Sequence, residues 1–192
     1  GAGAALWALT FYTYTVARVF VPLMVLGFVF IYRDTFKELW RNHKTVLLLS
    51  CGVFLLVSLP LVIEHIVHPE RMSARLNVIT VDQAGTSLFS LTNLVRAAGD
   101  YLPHYSPVHL FVRGDPNPFL YMGGGLILIS FAPLVLLGLW MCIAAWRSRE
   151  AQLILLWLLV YPIPDCLTPG GPHAHRCVTA IPVYAIISGA GF

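Results

Sequence analysis

Residues 45–63 read TVLLLSCGVFLLVSLPLVI, nineteen positions without an Asp, Glu, Lys or Arg, bracketed by Lys44 and Glu64. The hydrocarbon core of a bilayer is about 30 Å thick and takes roughly 20 helical residues. This run is long and apolar enough to be read as a membrane-crossing helix, and it lacks the polar face of a helix half-buried in a soluble core. Working outward, four further blocks share its character. The expected spans are about 11–32, 45–66, 119–146, 151–166 and 178–192, with Arg18 the one charge inside the first. Pro22, Pro60 and the run Gly123, Gly124, Gly125 interrupt these blocks. Such breaks are tolerated in lipid when neighbouring helices satisfy the freed backbone groups. The expected fold class is therefore all-α, a polytopic transmembrane helix bundle of about five spans forming one domain over residues 1–192.

Composition agrees with this reading. The chain is 58% hydrophobic and 11% charged, against roughly 25% charged in a soluble domain, too little charge to cover a water-facing surface. Its net charge is +3, and the basic residues are scattered rather than clustered with aromatics. No nucleic-acid partner is expected from that pattern.

Lys and Arg near span ends stay in the cytoplasm, so the basic residues set the topology. Arg33, Lys37, Arg41 and Lys44 lie in one short connection and Arg147 and Arg149 in another. Two expected spans separate them, which puts both on one side. The stretches about 67–118 and 164–177 then share the opposite, extracytoplasmic side of a multi-pass protein of the plasma or cell inner membrane. Within the first, Leu88, Leu91, Leu94, Val95, Ala98, Tyr101 and Leu102 recur at three- and four-residue steps, predicting an amphipathic helix on the membrane surface that Pro103 ends. The chain begins Gly-Ala-Gly and stops inside an apolar run, and is expected to be an internal fragment.

Candidate chemistry concentrates in three places. Arg18 is an ionisable residue inside an apolar block, by default a functional candidate. At 1.5 Å per residue from Tyr32 it lies about 21 Å deeper, near the outer interface; the bland alternatives are snorkelling to headgroups or a break between two helices. Residues 103–118, PHYSPVHLFVRGDPNP, supply His104, His109, Arg113 and Asp115. Arg113 offers a cation for phosphate and Asp115 a carboxylate for a hydroxyl or metal, whereas a purely turn-forming role is the alternative. Residues 164–177, PDCLTPGGPHAHRC, bring together Asp165, Thr168, His173, His175 and Arg176 just before a helix, a setting suited to an anionic headgroup. His173 and His175 would not share a helix face and lack a third ligand. The four cysteines show no CxxC spacing, so no zinc site is expected from them; Cys166 and Cys177 are candidates for pairing on an oxidising side. No cofactor is expected, with a divalent metal left open. Phosphate-binding loops, dinucleotide fingerprints, GxSxG and HExxH are lacking. Transport or flipping of a lipid-linked sugar is a competing function class, since intramembrane Arg and Gly or Pro breaks also mark transport paths, and a non-catalytic membrane subunit whose loops bind partners is another.

Three ordered stretches, YTYTVAR at 12–18, HYSPVHLFVRGDPNP at 104–118 and PIPDCLTPGGPHAHRCVTAIP at 162–182, resemble the prokaryotic GT-C membrane glycosyltransferases related to protein O-mannosyltransferases and to the aminoarabinose transferase of lipid A. The third stretch is the most specific. This resemblance implies an enzyme that moves a sugar from a polyprenyl-phosphate donor to a hydroxyl of a protein, lipid or glycan at the outer face. It also implies a catalytic Asp in an upstream loop, leaving no catalytic residue in this chain. The implied substrate-binding residues are Arg18, His109, Arg113, Asp115, His173 and Arg176.

Overall fold

The computed structural model describes residues 2–68, 90–115, 124–167 and 170–191. Among them are eight α-helices and no strand. The helices are α1 (Ala2–Thr13), α2 (Ala17–Ile31), α3 (Arg33–Val67), α4 (Leu91–Tyr101), α5 (Ala132–Ala144), α6 (Arg149–Val160), α7 (Ile163–Cys166) and α8 (Ala180–Gly191). They fall into two compact units, 1–81 and 82–192.

In the first unit, α3 carries the 45–63 run. Its backbone kinks at His43, where φ is −139° and ψ is 37°, so the charged 33–44 segment and the apolar run behave as two helices end to end. Pro60 inside the apolar part has no N–H and leaves the carbonyl four residues back without its helical donor. Within the chain only 6% of the most apolar window of this helix is buried, whereas the core helix of a soluble protein would be mostly covered. α1 runs against α3: the Tyr12 hydroxyl donates to the Val57 carbonyl at 2.7 Å, and Phe11 meets Phe54 edge-on at 5.7 Å.

Only α3 among the described residues is long and apolar enough to cross a membrane, in place of the five spans expected. The other blocks are broken for identifiable reasons. Block 11–32 divides at Tyr14–Val16. There the Thr13 hydroxyl turns back onto the Thr10 carbonyl at 2.7 Å and Arg18 Nε reaches the Phe11 carbonyl at 3.4 Å. These side chains occupy carbonyls at the end of α1 that a continuous helix would have paired internally. Block 151–166 ends at Val160, followed by a turn containing Pro162 and the single turn α7. In block 119–146 the α-helix starts only at Ala132, with Pro133 in its first turn; residues 116–123 lie outside the described residues.

The core of the second unit is the α5 and α8 pair. A Cβ built on Gly138 would fall onto the Ile187 carbonyl, and one on Gly191 onto the Leu134 carbonyl. Two glycines thus let the backbones touch, a mode of packing that serves helices in lipid, where apolar side chains gain nothing by leaving solvent. α4 forms where the amphipathic helix is predicted, though Leu88 lies outside the described residues. Ser90 caps it by accepting from the Asn93 N–H at 3.3 Å, and Pro103 follows in a 3-10 turn, Leu102–Tyr105. Its Asn93 is buried, while Leu91, Val95 and Leu102 are 78%, 64% and 71% exposed, so its apolar side faces outward from the unit.

Candidate functional site

Asp165 is the centre of the second unit's polar cluster, and its side chain is fully buried. The turn after α6 and the short α7 place it beneath the 170–177 loop. Oδ2 accepts from His104 Nε2 at 2.9 Å and from the His173 backbone N–H at 2.9 Å. Oδ1 accepts from Arg176 at 3.3 Å, and the Cys177 thiol points at Oδ2 from 3.8 Å. Gly171 is needed here, because a Cβ on it would come within 2.7 Å of Asp165 Oδ2.

A buried carboxylate is costly unless paired and hydrogen-bonded. Burial pushes the Asp165 carboxyl up. The hydrogen bonds from His104 and His173, with the charges of His104 and Arg176, outweigh burial and hold it below its ordinary value. The same negative charge adds to burial in raising two thiols: Cys166 is pushed up to about 12, and Cys177 also rises. Both cysteines are free thiols; the pairing considered from sequence is not present.

His104 is held from both sides. Its Nδ1 faces the carbonyls of Asp100 at 2.8 Å and Tyr101 at 3.3 Å, while Nε2 faces the carboxylate. Tyrosines frame this pair. Tyr161 donates to the His104 carbonyl at 3.0 Å and lies 3.2 Å from the Tyr184 hydroxyl; Tyr105 and Tyr101 donate to the carbonyls of Leu158 and Leu159 at 2.7 Å each.

Two cavities open beside the cluster. The larger, about 650 Å³, has apolar walls from Leu110, Leu128, Phe131 and Ile181, and His104, His109, Tyr161 and Tyr184 line it too. The smaller, about 430 Å³, is lined by Ser106, His109, Arg113, Asp115 and Pro172. His109 borders both. It is 8% exposed, and its Nδ1 bonds to the Gly114 carbonyl at 2.8 Å. Burial lowers its pKa, the Gly114 bond opposing, so the ring is neutral at pH 7.

Five of the six substrate-binding residues expected from sequence lie together in this unit. Arg113 is exposed at the smaller cavity. Asp115 is buried, and its carboxylate is engaged by the neighbouring loop: Oδ2 accepts from the Ala174 N–H at 2.5 Å and Oδ1 from the His173 ring at 3.4 Å. His173 thus serves Asp165 with its backbone and Asp115 with its ring. Arg176 is turned inward to Asp165. Arg18 belongs to the first unit, where its Nε contact places it at the break between α1 and α2. Sequence reasoning named His104 and Asp165 without assigning them to the site, and it passed over Tyr161 and Tyr184.

No family model, no curated protein and no solved structure matches this chain.

Proposed function

We propose that this chain is part of a multi-pass membrane glycosyltransferase that takes a sugar from a polyprenyl-phosphate donor and passes it to a protein, lipid or glycan hydroxyl at the outer face of the membrane. The observation that carries the reading is the meeting of the two cavities at His109: an apolar one beside a polar one with an arginine at its rim. That is the shape of a site for an amphiphile. An isoprenoid tail suits the larger cavity and a phosphate the smaller, where Arg113 offers planar donors to phosphate oxygens. His109, neutral and partly lining both, would contact the junction.

In this reading α5, α6 and α8 cross the membrane together with α2 and α3, and the 67–118 and 164–177 stretches are extracytoplasmic. The exposed apolar side of α4 then rests on the lipid surface. Cations that neutralise the departing phosphate supply the electrostatic part of the catalysis; the base is not assigned to any residue here.

A photoreactive polyprenyl phosphate tests the site directly. It is expected to label residues lining both cavities, and Arg113→Ala is expected to weaken labelling by roughly tenfold, the worth of about 1.5 kcal/mol from a charged hydrogen bond. Unchanged labelling in Arg113→Ala would remove the phosphate assignment. A transporter for the same lipid-linked sugar is the second reading, favoured by the helix breaks at Tyr14–Val16 and Pro162. Vesicles loaded with a labelled donor separate the two, since movement of the label without any sugar transfer sinks the enzyme.

A further inference from the structure

His104 Nε2, Asp165 Oδ2 and Cys177 Sγ converge in the second unit, all three residues buried and their atoms within 4.8 Å of one another. We propose that these side chains form a binding site for a soft divalent cation of the zinc type, with its fourth coordination position open to the larger cavity.

The donor set is an imidazole nitrogen, a carboxylate oxygen and a sulfur. Zinc takes this combination, whereas magnesium and calcium ask for six or more oxygens. Ligand atoms around a tetrahedral zinc lie about 3.4 to 3.6 Å apart, given bond lengths of 2.0–2.3 Å. Here the nitrogen and oxygen are 2.9 Å apart, the oxygen and sulfur 3.8 Å, and all three atoms lie within 4.8 Å of one another, so the first two pairs need shifts of a few tenths of an ångström and the thiol has about an ångström at most to close toward the imidazole.

The surroundings orient the ligands as metal sites do. A ligating histidine donates its second ring N–H to a carbonyl or carboxylate, which fixes the tautomer. His104 does this through Nδ1 to the Asp100 carbonyl at 2.8 Å. Arg176 holds Asp165 by the other oxygen, Oδ1, and the His173 N–H steadies Oδ2. His104 and Cys177 also line the larger cavity, so a bound cation presents its free position there, to an oxygen of a ligand or to water.

On binding, His104 coordinates through the Nε2 lone pair, Asp165 through a carboxylate oxygen and Cys177 as thiolate, its proton released to solvent.

Cobalt(II) added to the full chain in detergent tests this site. One equivalent is expected to produce a thiolate-to-cobalt charge-transfer band and to be displaced by zinc(II). Cys177→Ser should abolish the band and Cys142→Ser retain it. A measurement free of variants guards against misfolding: metal should protect Cys177 of the wild-type chain, which lines the larger cavity, from a small alkylating reagent, read residue by residue by mass spectrometry. The proposal is overturned if no band forms, if the band survives in Cys177→Ser, or if Cys177 is not protected.

Discussion

Asp165 takes up donors from four directions and has no exposed surface, so the cost of removing it is large. Asp165→Ala leaves Arg176 and His104 facing a void and is expected to destabilise the second unit by about 3–5 kcal/mol, the range for breaking a buried ion pair. Thermal unfolding in detergent, read as loss of near-ultraviolet circular dichroism, measures it. Gly171→Ala should act through the same carboxylate, because the new methyl displaces Oδ2 at a cost of about 1–3 kcal/mol. The double variant should then cost less than the sum of the singles; full additivity would disconnect Gly171 from Asp165.

His109 gives a pH dependence with a definite sign. Its pKa in the folded state is lowered from 6.5, so the unfolded chain takes up the proton first as pH falls. Its contribution to stability is complete above about pH 6.5 and declines below that value. His109→Asn keeps a donor toward the Gly114 carbonyl without titrating there. The fall in melting temperature between pH 7.5 and 5.5 should be smaller in that variant than in the wild type, and an equal fall would assign the acid sensitivity elsewhere. The sequence showed these residues as polar letters in two turn-rich stretches, and five of the six candidates do gather. It did not show the centre, because His104 and Asp165 are 61 positions apart and a single chain carries no record of which distant residues meet. Asp165 also closes an apolar run, where a carboxylate looks like the edge of a helix rather than the middle of a network.

Among the elements, the α5 and α8 contact is the most demanding. Gly138→Leu forces the helices apart at a point where even a methyl group meets backbone and should cost at least about 1–3 kcal/mol. Gly189 provides the control on α8, since nothing lies within 4 Å of a Cβ there; Gly189→Ala should be neutral or stabilising by up to about 1 kcal/mol. Helix type was legible in the apolar blocks and in α4, because long apolar runs and three- and four-residue steps report it directly; the 33–44 connection and residues 108–113, read as loop, are helical as well. Length was not legible. Lack of charge does not distinguish one long helix from two short ones, and the break at Tyr14–Val16 depends on where Thr13 and Arg18 send their donors.

At the scale of the whole molecule, the proposed topology makes a claim that basic residues alone support: positions in 33–44 and 145–149 lie on one side of the membrane and 170–177 on the other. Single-cysteine labelling from each side of sealed vesicles, in a chain cleared of its native cysteines, checks it, and a reagent reaching 145–149 from the outside would break the parity. The brevity of α6 carries one more consequence. It has twelve residues and at 1.5 Å per residue reaches about 18 Å, well short of a hydrocarbon core of about 30 Å. In the proposed topology the lipid beside it thins to meet it, and hydrophobic mismatch costs fractions of a kcal/mol per ångström. The second unit is accordingly predicted to be more stable in short-chain than in long-chain phosphatidylcholine.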